Sequence, residues 1–100
     1  MPVILFKVVW STEAETTYNL LNSNPSEEER HKAVKKTIKL LSNPRHPSLQ
    51  THPYSSLTGP NGEKVFEAYA QQNTPAAYRV FWYYGPGKRV ITVFAITPHP

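Results

Sequence analysis

The 100-residue chain contains no cysteine, a single methionine and only four glycines. Without cysteine there are no disulfides, no thiolate nucleophile and no thiolate-ligated metal. The glycines are too scattered for a phosphate-cradling loop: Gly59 and Gly62 belong to "GPNG", Gly85 and Gly87 to "GPG", and both stretches read as turns. No nucleophilic serine motif of the hydrolase type is present. No pair among the four histidines has metal-ligand spacing, so neither a metal nor another cofactor is expected. No apolar run approaches the roughly 18 residues that span a bilayer. The opening "MPVILFKVVW" is too short for a signal-peptide core followed by a cleavage site and lacks a basic leader. It reads as the first strand of a cytoplasmic protein without a membrane segment. Acidic residues are the scarcer charge, seven against eleven lysines and arginines, for a net +4. That balance suits a polyanionic or acidic partner.

What is present divides into helical and extended stretches. Val3 to Trp10 is β-branched and apolar apart from Lys7, a strand. "STEAETTYNLLNSNP" then changes period: Thr12 and Glu15 have capping-box spacing, and Ala14, Tyr18 and Leu21 fall on one helical face. "NPSEEERHKAVKKTIKLLSNP" is the strongest helix. Asn24 or Ser26 can cap it, Glu27 to Glu29 complement its dipole, and Val34, Ile38 and Leu41 line one face. Lys32, Lys35, Lys36 and Lys39 mark the other. A connection of about twenty residues follows, rich in proline and carrying His46 and His52; long connections of this kind are often functional. Leu49, Tyr54 and Leu57 are its candidate anchors. Strands are expected at 65–70, 77–84 and 89–96, joined as an antiparallel meander. The result is one α+β domain over 1–100, in the order β-α-α-β-β-β, with two helices on a four-stranded, mostly antiparallel sheet.

The chemistry concentrates in "YRVFWYY". Alternation puts Tyr78, Val80, Trp82 and Tyr84 on one face and Arg79, Phe81 and Tyr83 on the other. If the first set packs under the helices, the second forms an open face with a guanidinium among rings. Edge loops would add His99, Arg45 and His46. Two readings of Arg79 stand side by side: a cross-strand ion pair with Glu67, or a two-donor clamp for phosphate.

The succession of "NPRHPSL", "GEKVFEAYA", "YRVFWYY" and "VITVFAITPH" resembles the RelE/ParE superfamily of toxins from bacterial type II toxin–antitoxin modules. The resemblance covers about three quarters of the chain, from the second helix onward. It implies a small twisted sheet with packed helices, a cognate antitoxin as partner, and one of two activities. RelE-like members cut mRNA on the ribosome without a metal, the ribose 2′-OH attacking the adjacent phosphate; ParE-like members inhibit DNA gyrase without cleavage. A third possibility is a degenerate domain that only binds its antitoxin. On the RelE-like reading Arg79 matches the arginine that stabilises the charged phosphorane, and His99 the histidine past the last strand, a general acid or base. Glu67 stands where some members carry lysine and others a carboxylate base. Pro100 stands where some members carry a cationic or aromatic residue, and the C-terminal tyrosine that the resemblance implies is absent: either Tyr83 substitutes for it, or activity is weak, or the natural protein continues further. Arg45, His46, Lys35, Lys36 and Lys39 are candidate RNA contacts, and Phe81 a candidate stacking platform for an mRNA base.

Overall fold

The computed structural model describes residues 5–72 and 77–98. Five strands form one sheet in the order β1-β5-β4-β3-β2, with β1 spanning Lys7–Trp10, β2 His52–Thr58, β3 Lys64–Tyr69, β4 Tyr78–Tyr84 and β5 Val90–Pro98. β1 runs parallel to β5, and the remaining pairs are antiparallel. Two helices, α1 (Thr12–Ser23) and α2 (Glu28–Leu40), follow β1 directly. The α+β class and the paired helices match the expectation. The strand count does not: the sequence pointed to four, and β2 adds a fifth inside the stretch read as a loop.

Local chemistry sets the helix ends. Ser11, not Thr12, caps α1: its Oγ accepts the Ala14 N–H at 3.1 Å and donates to the Phe94 carbonyl at 2.9 Å. One side chain thus satisfies a free helical donor and ties the helix to β5. Asn24 caps a short 3-10 turn over Pro25–Glu27, its Oδ1 accepting from the Ser26 N–H at 3.1 Å, and α2 continues from there without a side-chain cap of its own. The glutamates of the first α2 turn lie at the positive end of its dipole.

Ala14 and Leu21 of α1 and Val34 and Ile38 of α2 are buried against Ala68, Val80, Trp82, Ile91 and Val93 of the sheet. Tyr18 sits half-buried between Trp10 and His31, with ring centroids 5.0 and 4.6 Å away, and burial raises its hydroxyl pKa. Gly85 and Gly87 take φ of 104° and 92° in the β4–β5 connection, a region that disfavours residues with a Cβ.

Candidate functional site

Register fixes what meets on the sheet face turned away from the helices. β3 pairs Glu67 with Phe81 and Tyr69 with Arg79, and β2 pairs His52 with Glu67. Glu67 and Arg79 are therefore diagonal neighbours on one face, within reach for long side chains. Arg79 Nη1 donates to Glu67 Oε2 at 2.5 Å, and His52 Nε2 lies 2.5 Å from Glu67 Oε1. Both carboxylate oxygens are occupied, each by a nitrogen donor. The Arg79 guanidinium also lies over two rings, 4.9 Å from the Phe81 centroid and 5.5 Å from that of Tyr54. Its Nε is buried without a hydrogen-bond acceptor among the described residues.

This face is not open, as the alternation had implied. Arg79 is 6% exposed, Phe81 0% and Tyr83 7%. The cause is β2. As the outer strand it brings Tyr54 to 4.8 Å from the Phe81 ring, and Phe94 of β5 packs edge-on against Tyr83. Phe81 is thus a core side chain and offers no exposed platform for a base. Glu67 is 2% exposed, whereas the His52 side chain is 45% exposed. Of the three linked groups, the imidazole is the one solvent reaches.

His52 is held from both sides. Its Nδ1 lies 3.2 Å from the Gln50 carbonyl, and its ring centroid 5.7 Å from that of Tyr69. Gln50 is left-handed, at φ 47° and ψ 42°, just after a 3-10 turn over Pro47–Leu49. A non-glycine residue rarely adopts that conformation, and here it precedes the histidine by two positions. Each ring nitrogen faces an oxygen acceptor. The doubly protonated imidazolium satisfies both, and a neutral ring can satisfy only one.

The other candidates stand apart from this cluster. Tyr83 lies four positions along β4 from Arg79, about 13 Å at the usual strand rise. Arg45 and His46 are not in contact with the linked groups but border a shallow groove with Pro44, Thr51, Tyr84 and Gln50, the residue whose carbonyl faces His52. His46 is engaged locally, its Nδ1 accepting the Ser48 N–H at 3.1 Å. Lys35, Lys36 and Lys39 are exposed on α2. Lys35 flanks a cleft between the helices that also includes Leu21, Asn24, His31 and Lys32. His99 and Pro100 lie outside the described residues. Among the described residues, no group of three or more histidine or acidic side chains is placed to hold a metal ion, and no helix is long and apolar enough to cross a membrane.

Strand alternation in the sequence pairs Glu67 with Arg79 but gives His52, one of two histidines in a proline-rich stretch, no such partner. The available signal was the alternation of His52 and Tyr54 around Pro53, inward positions flanking an outward one.

No family model and no curated relative matches the sequence. Solved structures do. The chain is similar to the YoeB/ParE toxin from Agrobacterium tumefaciens, with a TM-score of 0.66, 14% identity, and coverage of 94% of this chain and 99% of that one. It is similar to a chain of the archaeal RelE–RelB complex from Pyrococcus horikoshii OT3, with a TM-score of 0.59 and 15% identity over 94% of both chains. It is also similar to the YoeB dimer from Staphylococcus aureus, with a TM-score of 0.61 and 12% identity over 95% of this chain and 98% of that one. At these identities the shared property is the fold, and it spans nearly the whole length of each chain.

Proposed function

We propose that this protein is the toxin of a type II toxin–antitoxin pair and that it cleaves mRNA on the ribosome. The observation that carries the reading is the buried Glu67 carboxylate, bonded at once to Arg79 and to the half-exposed His52, on a RelE/YoeB-like fold. Cleavage by a ribose 2′-OH needs proton transfer at two oxygens and positive charge near the phosphate. A histidine, a carboxylate and a guanidinium within hydrogen-bond reach of one another are the groups for that work. Arg79 supports the reading through its charge, which anchors Glu67 and places a fixed positive charge behind the carboxylate–histidine pair. His99 remains a candidate for the second proton transfer. The exposed lysines of α2 suit contact with RNA phosphates, and the net +4 charge agrees in sign. The RelE–RelB complex among the similar structures supports an antitoxin as partner, and the cytoplasm as the place of action accords with that pairing.

Programmed ribosomes carrying a defined mRNA test this. The expected product is an mRNA cut at the codon in the A site; intact mRNA at every codon and pH would overturn the reading.

A second reading, inhibition by protein contact without cleavage, draws on the burial of Arg79 and Phe81, which leaves neither free to meet a substrate in this conformation. Gyrase supercoiling assays separate a ParE-like activity of this kind from cleavage. Untouched gyrase with arrested translation would exclude it. Antitoxin binding without either effect would mark a degenerate domain.

A further inference from the structure

We propose that His52, on the outer strand β2, is a general acid of the cleavage step and that Glu67 is its positioning residue rather than a base. The inference rests on the nuclease reading above and assigns the proton-transfer role to a residue outside the candidate set that the sequence suggested.

Access singles out His52. Glu67 is 2% exposed and spends one oxygen on Arg79 and the other on His52, so neither is left for a substrate hydroxyl. His52 is 45% exposed. Any atom of RNA that approaches this cluster from solvent meets the imidazole first.

The two ring nitrogens of His52 have different partners. Nε2 faces the buried carboxylate, which keeps a proton on that nitrogen and fixes the ring's orientation. Nδ1 is left as the atom that gains and loses a proton. Its present acceptor is the Gln50 carbonyl, a longer contact at 3.2 Å on an exposed side of the ring. A leaving oxygen can take the place of that carbonyl without disturbing the Nε2 bond. Arg79 fixes Glu67, Glu67 fixes His52, and His52 meets the substrate.

The ribose O2′–P bond forms and the P–O5′ bond breaks. The 2′-hydroxyl proton passes to water, and the Nδ1 proton of His52 passes to O5′. The products are a 2′,3′-cyclic phosphate and a 5′-hydroxyl. The neutral imidazole, still donating through Nε2 to Glu67, then recovers a proton from water.

The groups that face His52 among the described residues are Glu67 and Tyr69 from β3, the Gln50 carbonyl from the preceding loop and, through Glu67, Arg79 from β4. A general acid works only while it carries its proton, so the cleavage rate is expected to fall on the alkaline side of the pH profile.

The test is single-turnover cleavage on programmed ribosomes across a pH series, for wild type, His52→Gln and His52→Ala, with melting curves on the same samples. Glutamine can still donate to Glu67 but cannot release a proton at these pH values. The expected result is a rate about a hundredfold or more lower in His52→Gln, in the range of a lost general acid. The alkaline limb of the pH profile should disappear with it. Added imidazole should restore part of the rate to His52→Ala, which also serves if His52→Gln folds poorly. A His52→Gln protein cutting at the wild-type rate with the wild-type profile overturns the proposal. So does a slowed variant that keeps the alkaline limb while His52→Ala gains nothing from imidazole, since that marks a structural role. A wild type that cuts no codon is a different failure: it removes the nuclease reading, and this assignment with it.

Discussion

β4 has two sides, both aromatic and mostly buried, and the buried ion pair lies on only one of them. On the helix side, Val80 and Trp82 sit fully buried in an apolar core with Ala14, Val34 and Ile38. On the far side, Phe81 is just as buried, but its neighbours are a guanidinium, a carboxylate and, at the rim, an imidazole. The difference lies in what covers each side. Two helices bring a continuous apolar stripe, whereas β2 brings isolated side chains, His52 and Tyr54, separated by Pro53. An apolar lid would bury the Arg79–Glu67 pair beyond any reactant's reach. A strand edge with a half-exposed histidine buries the pair and leaves a way in. A buried ion pair is weak evidence for stability, since hydrophobic replacements often do as well.

Substitutions on the two sides should separate packing from chemistry. The largest loss of stability is expected from Trp82→Ala, about 3–5 kcal/mol, as for truncation of any large core aromatic. In a domain of this size that lowers the melting temperature by well over about 10 °C. Cleavage per folded molecule should stay near the wild-type level; a selective loss of rate would blur the division between the sides.

Glu67→Ala should follow closely. Removing one partner of a buried pair leaves the other uncompensated, at about 3–5 kcal/mol. Here the loss of stability should come with loss of cleavage in the molecules that remain folded. Thermal melts and single-turnover rates on the same preparations check both. Arg79→Ala should behave likewise, with cleavage down about a hundredfold or more. Arg79→Lys should recover part of each, because it keeps the counter-charge and loses the planar fork.

Tyr54→Ala removes the ring that covers Phe81 and Arg79 while leaving the ion pair. A cost of about 1–3 kcal/mol is expected, below that of a fully buried aromatic because Tyr54 is only half-buried. Hydrogen exchange should quicken in β2 and β3 before β5. Uniform quickening would mean that β2 is not a separate lid.

The smallest effect on stability belongs to α2. Lys35, Lys36 and Lys39 are exposed, and replacing them with alanine should shift stability by within about 0.5 kcal/mol each. Ribosome affinity should drop and become less sensitive to salt. Unchanged affinity in sedimentation binding would remove the helix from the RNA-contact surface.

These two sides were unequally legible in the sequence. The helix side follows from periodicity: Val34, Ile38 and Leu41 repeat at helical spacing, and Val80 alternates with Phe81. Those patterns report burial directly, and the structure places Val34, Ile38, Leu41 and Val80 in the core. The far side depends on pairing. "HPYSSLT" reads as loop because it is proline- and serine-rich and its alternation breaks at a register shift between Pro53 and Thr58. An outer strand tolerates proline since one of its sides pairs with nothing. Missing β2 meant missing the cover over Phe81, hence the mistaken open face, and missing the partner fifteen residues away that makes His52 more than a loop histidine. The diagonal between Glu67 and Arg79 was within reach because β3 and β4 are adjacent strands of a recognisable meander. The capping residue was off by one because Ser11 and Thr12 carry the same hydroxyl chemistry.

The most direct test of the central claim, that Glu67 organises a chemical site between His52 and Arg79, is single-turnover cleavage by Glu67→Gln, normalised to folded protein. The amide oxygen can still accept from Arg79, so the change falls mainly on His52. An amide N–H facing Nε2 favours the opposite tautomer and removes the charge that steadies the imidazolium. In enzymes with a histidine–carboxylate pair this exchange costs up to about ten-thousandfold. The expected result is a rate at least about a hundredfold below wild type, with an altered dependence on pH. A Glu67→Gln protein that cuts mRNA as fast as wild type at every pH would contradict the account.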